Sequence, residues 1–200
     1  MSHDPFQGSS LPYPYTLEAG WWNVEQFYGR CREDRLDPVL RMALASDGSM
    51  IRSLSAYHLG PVRFEIQNQE TAPLDREAAK FLEAQEGDPA IFRDVWMGWE
   101  RGASSGRDVY ARSVILGSPL SPWIAQELRK GKRPVGVLLE DLGLPVLRDR
   151  IQIGRLRSAA LAAGIGSPET VFWARVYRLS SGSEFRAAVL EILLPESGRP

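Results

Sequence analysis

Ala90-Ile91-Phe92-Arg93-Asp94-Val95-Trp96-Met97-Gly98-Trp99 alternates, with Ile91, Arg93, Val95 and Met97 on one side and Phe92, Asp94 and Trp96 on the other. A turn-rich segment follows, Arg101-Gly102-Ala103-Ser104-Ser105-Gly106-Arg107, and then a second alternating run, Val109-Tyr110-Ala111-Arg112-Ser113-Val114-Ile115. A period of two sends successive side chains to opposite faces of a strand. Two such runs joined by Gly and Ser predict an antiparallel hairpin. Arg93 shares its face with three apolar side chains. A guanidinium in that setting needs a carboxylate or phosphate partner, because an unpaired buried charge is costly. A structural ion pair, or an edge-strand Arg that reaches solvent, satisfies the same pattern.

Working outward, Val62-Arg63-Phe64-Glu65-Ile66-Gln67-Asn68-Gln69 alternates strictly and predicts a strand. Leu147 to Ile153 alternates again, with Leu147, Asp149, Ile151 and Ile153 opposite Arg148, Arg150 and Gln152. Val171 to Leu179 and Phe185 to Leu194 form a closing hairpin around Ser180-Ser181-Gly182-Ser183. Asp37-Pro38 is an N-cap followed by proline at the first helical position, with Val39, Leu40, Ala43 and Leu44 as the apolar stripe. That helix stops at Ser46-Asp47-Gly48-Ser49, and Met50-Ile51 opens a short polar run. Further helices are predicted over Leu74 to Gln85, Pro119 to Lys130, and Val135 to Leu142 with Gly143 as C-cap. Strands mostly in hairpins, interspersed with short helices, predict an α+β fold on an antiparallel sheet. Residues 1–35, rich in proline and aromatic side chains, read as an arm that packs on a single domain spanning 36–200.

Bulk properties narrow the function. The chain of 200 residues is 44% hydrophobic and 24% charged with a net charge of −1, so nothing points to nucleic acid or an anionic membrane as partner. One cysteine, Cys31, excludes an internal disulfide, and two histidines, His3 and His58, leave no metal-ligand cluster or Ser–His nucleophile system. No dinucleotide fingerprint, phosphate loop, zinc-protease or nucleophile-elbow motif occurs. Without a basic and apolar leader or a membrane-length apolar run, the expectation is a cytoplasmic protein.

What remains is Arg93 and a carboxylate on the last strand, Ala187-Ala188-Val189-Leu190-Glu191-Ile192-Leu193-Leu194-Pro195. Val189, Glu191 and Leu193 share a face. That face is either the solvent side of an edge strand or the wall of a pocket, where Glu191 serves as hydrogen-bond acceptor or general acid.

From about residue 38 to 196 the chain resembles the chorismate lyases (chorismate–pyruvate lyases). The resemblance is carried in order by Asp47-Gly48-Ser49-Met50, Phe92-Arg93-Asp94-Val95-Trp96-Met97, Tyr110-Ala111-Arg112-Ser113-Val114-Ile115, Gly131-Lys132-Arg133-Pro134-Val135-Gly136, Arg148-Asp149-Arg150-Ile151-Gln152-Ile153-Gly154 and Leu190-Glu191-Ile192-Leu193-Leu194-Pro195. It implies an α+β fold with a six-stranded antiparallel sheet, shared with the ligand-binding domains of some bacterial transcription regulators. It further implies conversion of chorismate to 4-hydroxybenzoate and pyruvate without metal or organic cofactor. In that reading Arg93 and Glu191 are the catalytic pair, and Arg93, Met50, Ile51, Ala111 and Met97 bind the substrate. Arg150, Arg175 and Arg178 are spare candidates for a second carboxylate, with a solvated strand face as the expectation for each.

The chain departs from the family pattern at Ile51, where Thr is common, and at Ala111, where Gly is. Trp96 and Trp99 are bulky for the hairpin. These features fit an alternative, an enzyme of the same fold recruited to another cofactor-free reaction such as a cyclisation in natural-product biosynthesis, or a non-catalytic small-molecule binding domain. Either way the partner is a small molecule, and oligomeric state stays open. The sharpest expectation is geometric: Arg93 and Glu191 should point into one cavity lined by Met50 and neighbouring apolar residues.

Overall fold

The computed structural model describes residues 4–6, 12–101, 104–118, 120–131, 133–165 and 167–195. Its elements run β1 (Thr16–Leu17), α1 (Val24–Glu33), α2 (Pro38–Ala45), α3 (Met50–His58), β2 (Val62–Pro73), α4 (Arg76–Leu82), β3 (Pro89–Arg101), β4 (Ser104–Leu116), α5 (Pro122–Lys130), α6 (Val135–Asp141), β5 (Leu147–Arg157), α7 (Ala159–Ile165), β6 (Phe172–Ser181) and β7 (Phe185–Leu193). This is an α+β fold. The sheet has seven strands in the order β1-β5-β6-β7-β4-β3-β2, antiparallel throughout. Six are long. The seventh, β1, is two residues of the N-terminal arm paired with Leu156 and Arg157 of β5.

Local chemistry accounts for the helix starts. Asp37 accepts from the amides of Val39 and Leu40 ahead of Pro38, and Asp75 caps α4 at Ala78. Ser121 caps α5 through Ile124, with Pro122 at the first helical position. The expected start at Pro119 falls outside the described residues. Three helices, α1, α3 and the Ala-rich α7, escape the sequence reading. Helix α3 buries only Met50 and Leu54 among polar neighbours, too thin a stripe to register. Helix α1 lies inside the arm, where an Asn23–Gln26 capping box starts it and Phe27 and Cys31 are its buried side.

The sheet is covered on both faces. On one, α4, α7 and arm residues Phe6 and Trp21 pack with Phe92, Trp96, Tyr110, Leu190 and Ile192. On the other, α5 and α6 pack on Ile115, Tyr177, Leu179 and Val189, while α3 packs on Val95, Met97, Val109 and Ala111. Phe27, Cys31 and Leu44 from α1 and α2 meet Ile153 on that second face. Arm residue Tyr13 sits edge-on against Trp96 and Tyr110, 5.5 and 4.8 Å between ring centroids, on the first face.

Register sets the layout of the second face. Arg93 pairs with Ser113, Ser113 with Val189, and Val189 with Tyr177, which makes one row across β3, β4, β7 and β6. The next row is Val95, Ala111, Glu191 and Arg175. Residues paired across strands share a face. Arg93 and Glu191 therefore face the same way, two strands and one row apart: roughly 10 Å across the sheet and about 7 Å along it.

Candidate active site

Between this face and the helices over it lies a cleft of about 550 Å³, counting the space open to solvent. Arg93, Val95, Met97, Ala111 and Ser113 of the central hairpin form its floor, with Val189 and Glu191 beside them. The first turn of α3, Ser49 to Ile51, and the first turn of α6, Pro134 to Val137, form its walls. Arg93, Glu191, Met50, Ile51, Ala111 and Met97, the residues nominated from sequence, all line this one cleft. Trp96 and Trp99 are not among its walls, so their bulk does not shape it; Trp96 lies on the opposite face and donates to Gln67 at 2.6 Å. No described residue of the arm lines the cleft either.

Arg93 is 1% exposed. Its Nη2 donates to the carbonyl of Arg133 at 2.8 Å and its guanidinium lies 5.2 Å from the Phe64 ring centroid. Nε and Nη1 are buried with no hydrogen-bond partner, and no carboxylate pairs with it among the described residues. Burial alone pulls its pKa down to about 10, so it stays a cation at neutral pH. A buried guanidinium with two idle donors beside a cleft is an anion site without its anion.

Glu191, 4% exposed, is already engaged. Arg175 Nε donates to its Oε2 at 2.6 Å and the Tyr177 hydroxyl to its Oε1 at 3.1 Å. Burial, with the Glu191 charge alongside, pushes the Tyr177 phenol well above its ordinary range and keeps it a donor. The expectation of a solvated strand face for Arg175 is corrected: it is 1% exposed, because its register partner is Glu191. Its Nη1 also donates to the carbonyls of Ala43 and Ser46 at the end of α2. Arg178 and Arg150 do not reach the cleft; Arg178 pairs with Asp149 at 2.7 Å and Arg150 pairs with Glu83.

Helix α3 contributes backbone. Ser49 caps it without a side-chain hydrogen bond, so its first-turn amides stay available next to the cleft.

Sequence reasoning missed Arg148, which lines the cleft. Strict alternation set Arg148 on the face opposite Leu147, Ile151 and Ile153. The structure reverses this: Leu147 is 58% exposed, the β5–β6 register shifts between Asp149 and Gln152, and Arg150 adopts φ 54°. A bulge of that kind changes the parity of everything before it. Arg148 and Ile153 thereby share the inner face, as their partners Leu179 and Arg175 do.

The opposite face holds a related trio that is a useful contrast. Arg112 Nη1 contacts both oxygens of Asp94 at 3.0 and 2.9 Å, and the Tyr110 hydroxyl donates to the same carboxylate. It is buried in the core and lines no cleft beside an idle cation. Among the described residues no group of His, Cys, Asp and Glu is arranged to hold a metal, and no helix is long and apolar enough to cross a membrane.

Family comparison settles where the chain belongs. The profile described as Chorismate pyruvate-lyase Rv2949c-like matches residues 44–197, which span the floor, both helical walls and the Glu191 strand. The chain is a member of the Rv2949c-like chorismate pyruvate-lyase family. No curated protein matches it. Among solved structures, it is similar to the C-terminal domain of the histidine utilization repressor from Pseudomonas syringae pv. tomato str. DC3000 (TM-score 0.54, 11% identity, 70% of this chain and 95% of that one). It is likewise similar to a ligand-binding domain assigned to a GntR-family transcriptional regulator from Bordetella bronchiseptica (0.53, 14%, 68% and 86%) and to the effector domain of PhnF from Mycobacterium smegmatis (0.51, 12%, 73% and 88%). At these identities the likeness is one of fold.

Proposed function

We propose that this protein is a chorismate–pyruvate lyase that converts chorismate to 4-hydroxybenzoate and pyruvate, with Arg93 and Glu191 as its catalytic pair. The observation that carries the reading is the idle, buried Arg93 guanidinium facing Glu191 across one cleft in a chain of this family. Arg93 takes the ring carboxylate along an edge of its guanidinium where an unpartnered donor remains, and the amides at the start of α3 add a second set of donors. The reaction is an elimination. The proton on the hydroxyl-bearing ring carbon leaves, the ether oxygen departs from the neighbouring carbon, and the ring becomes aromatic. The released enolpyruvate takes up a proton as pyruvate, so the atoms balance. Glu191 keeps lone pairs beyond those used by Arg175 and Tyr177, enough to hold the ring hydroxyl and assist proton removal. Met50, Ile51, Met97 and Ala111 clamp the ring, so that orientation supplies much of the acceleration.

The test is incubation of the protein with chorismate, following both products. Wild type is expected to form them, and Arg93→Ala and Glu191→Ala are each expected to lose about a hundredfold or more, the scale on which positioning and acid–base groups act.

A second reading, a small-molecule binding domain without turnover, is favoured by one observation: both Glu191 oxygens already accept hydrogen bonds within the protein. A folded protein that binds 4-hydroxybenzoate but yields no product from chorismate selects this reading.

A further inference from the structure

The cleft contains a second cation that the Arg93–Glu191 pair does not use. Arg148 lines it from β5, and its Nε is buried with no partner. Its one described hydrogen bond, from Nη1 to the carbonyl of Asp47, is 3.4 Å long, at the limit of such a contact. It forms no ion pair among the described residues. The one carboxylate in the cleft, Glu191, is committed to Arg175. The cleft thus presents two cations in need of anions, on different strands: Arg93 on β3 and Arg148 on β5, with β4, β7 and β6 between.

Two backbone features put Arg148 there. The bulge around Arg150 turns it inward. Gly136, in the first turn of α6, leaves room for it: a Cβ at that position would stand 3.0 Å from Arg148 Nη2. An Arg held by a bulge on one side and by a missing side chain on the other is placed for a ligand.

We propose that Arg148 binds the second carboxylate of a dicarboxylate ligand, so that the cleft discriminates diacids from monoacids. This rests on the lyase reading in one respect, that Arg93 takes the first carboxylate. For chorismate the second anion is on the enolpyruvyl group, so Arg148 grips the substrate and loses its contact once that group has left. The ring product then keeps only the Arg93 end. Arg148 is in this way a specificity residue that favours substrate over retained product.

The experiment measures binding and needs no turnover. Dissociation constants for 4-hydroxybenzoate and for 3-(carboxymethoxy)-4-hydroxybenzoate, which keeps the ring hydroxyl and carries its second carboxylate on the neighbouring carbon as chorismate does, are obtained by calorimetry on wild type, Arg148→Gln and Gly136→Ala. Wild type is expected to prefer the diacid by about tenfold or more, the scale of one charge-assisted contact. Arg148→Gln should abolish that preference while leaving the monoacid within about twofold of wild type, and Gly136→Ala should weaken it by crowding the guanidinium. A wild type without diacid preference, an Arg148→Gln that keeps it, or an equal loss for both ligands overturns the proposal. Chorismate turnover, followed separately, reports on the lyase reading alone.

Discussion

Arg175 Nε lies 2.6 Å from Glu191 Oε2, and the same guanidinium donates to the carbonyls of Ala43 and Ser46. One buried side chain thus anchors the cleft's carboxylate and closes the C-terminal end of α2, where a cation also suits the helix dipole. The turn that follows delivers Met50 and Ile51 to the cleft. Replacing Arg175 by Ala leaves Glu191 buried without its charge partner and is expected to cost about 3–5 kcal/mol, the usual penalty for breaking a buried pair. Urea unfolding monitored by tryptophan fluorescence measures it.

Arg93 should behave in the opposite way. It is buried with no carboxylate beside it among the described residues, so Arg93→Met removes a desolvated cation and is expected to leave stability unchanged or raise it. Affinity for 4-hydroxybenzoate should fall about a hundredfold, as a charge-assisted contact is lost. An unfolding curve and a titration on the same preparation separate the two. A destabilised Arg93→Met would mean that the guanidinium serves the fold.

The pKa of Arg93 sets a pH limit on binding. Burial lowers it to about 10. A carboxylate ligand needs the protonated form, so affinity is flat below that value and falls as pH rises through it, by about tenfold per unit once the group is deprotonated. Titrations with benzoate, whose one acid group is ionised throughout, at pH 8, 9, 10 and 11, on protein shown by circular dichroism to stay folded, trace the limb. Affinity that holds level to pH 11 would contradict a desolvated Arg93 as the anion contact.

The Asp94–Arg112–Tyr110 trio on the far face is the control for chemistry. Asp94→Ala removes the buried carboxylate that Arg112 and Tyr110 share and should destabilise by about 3–5 kcal/mol. Its effect on ligand affinity at permissive temperature should stay within about twofold, because none of the trio lines the cleft. Thermal melts with and without ligand check both halves.

Helix α1 is part of the domain's packing despite its place in the aromatic N-terminal segment. Phe27 is fully buried and meets Trp173 edge-on at 5.7 Å. Phe27→Ala is expected to cost about 3–5 kcal/mol, the range for a phenylalanine removed from a packed core. An exposed, separable arm would show a change below about 0.5 kcal/mol in the same unfolding experiment.

Period-two patterning in Ala90–Trp99, Val109–Ile115 and Phe185–Leu194 determined the hairpins by itself, because alternation assigns each side chain to a face before any packing is known. It also put Arg93 among apolar residues and Glu191 in line with Val189 and Leu193. The cap at Asp37 lies within three residues of the amides it binds, so it too was legible. Tertiary structure alone decided the rest. Whether Arg93 and Glu191 share a face depends on the β3–β4 and β4–β7 registers taken in series, and the second pairs strands far apart in the chain. Arg175 is an unremarkable strand arginine until register sets it against Glu191. Arg148 was hidden by a bulge, since one backbone irregularity inverts the parity on which strand reading relies. The residue types that could bind an anion were written in the sequence; which of them went unpaired was decided by the long-range contacts that supplied partners to the others.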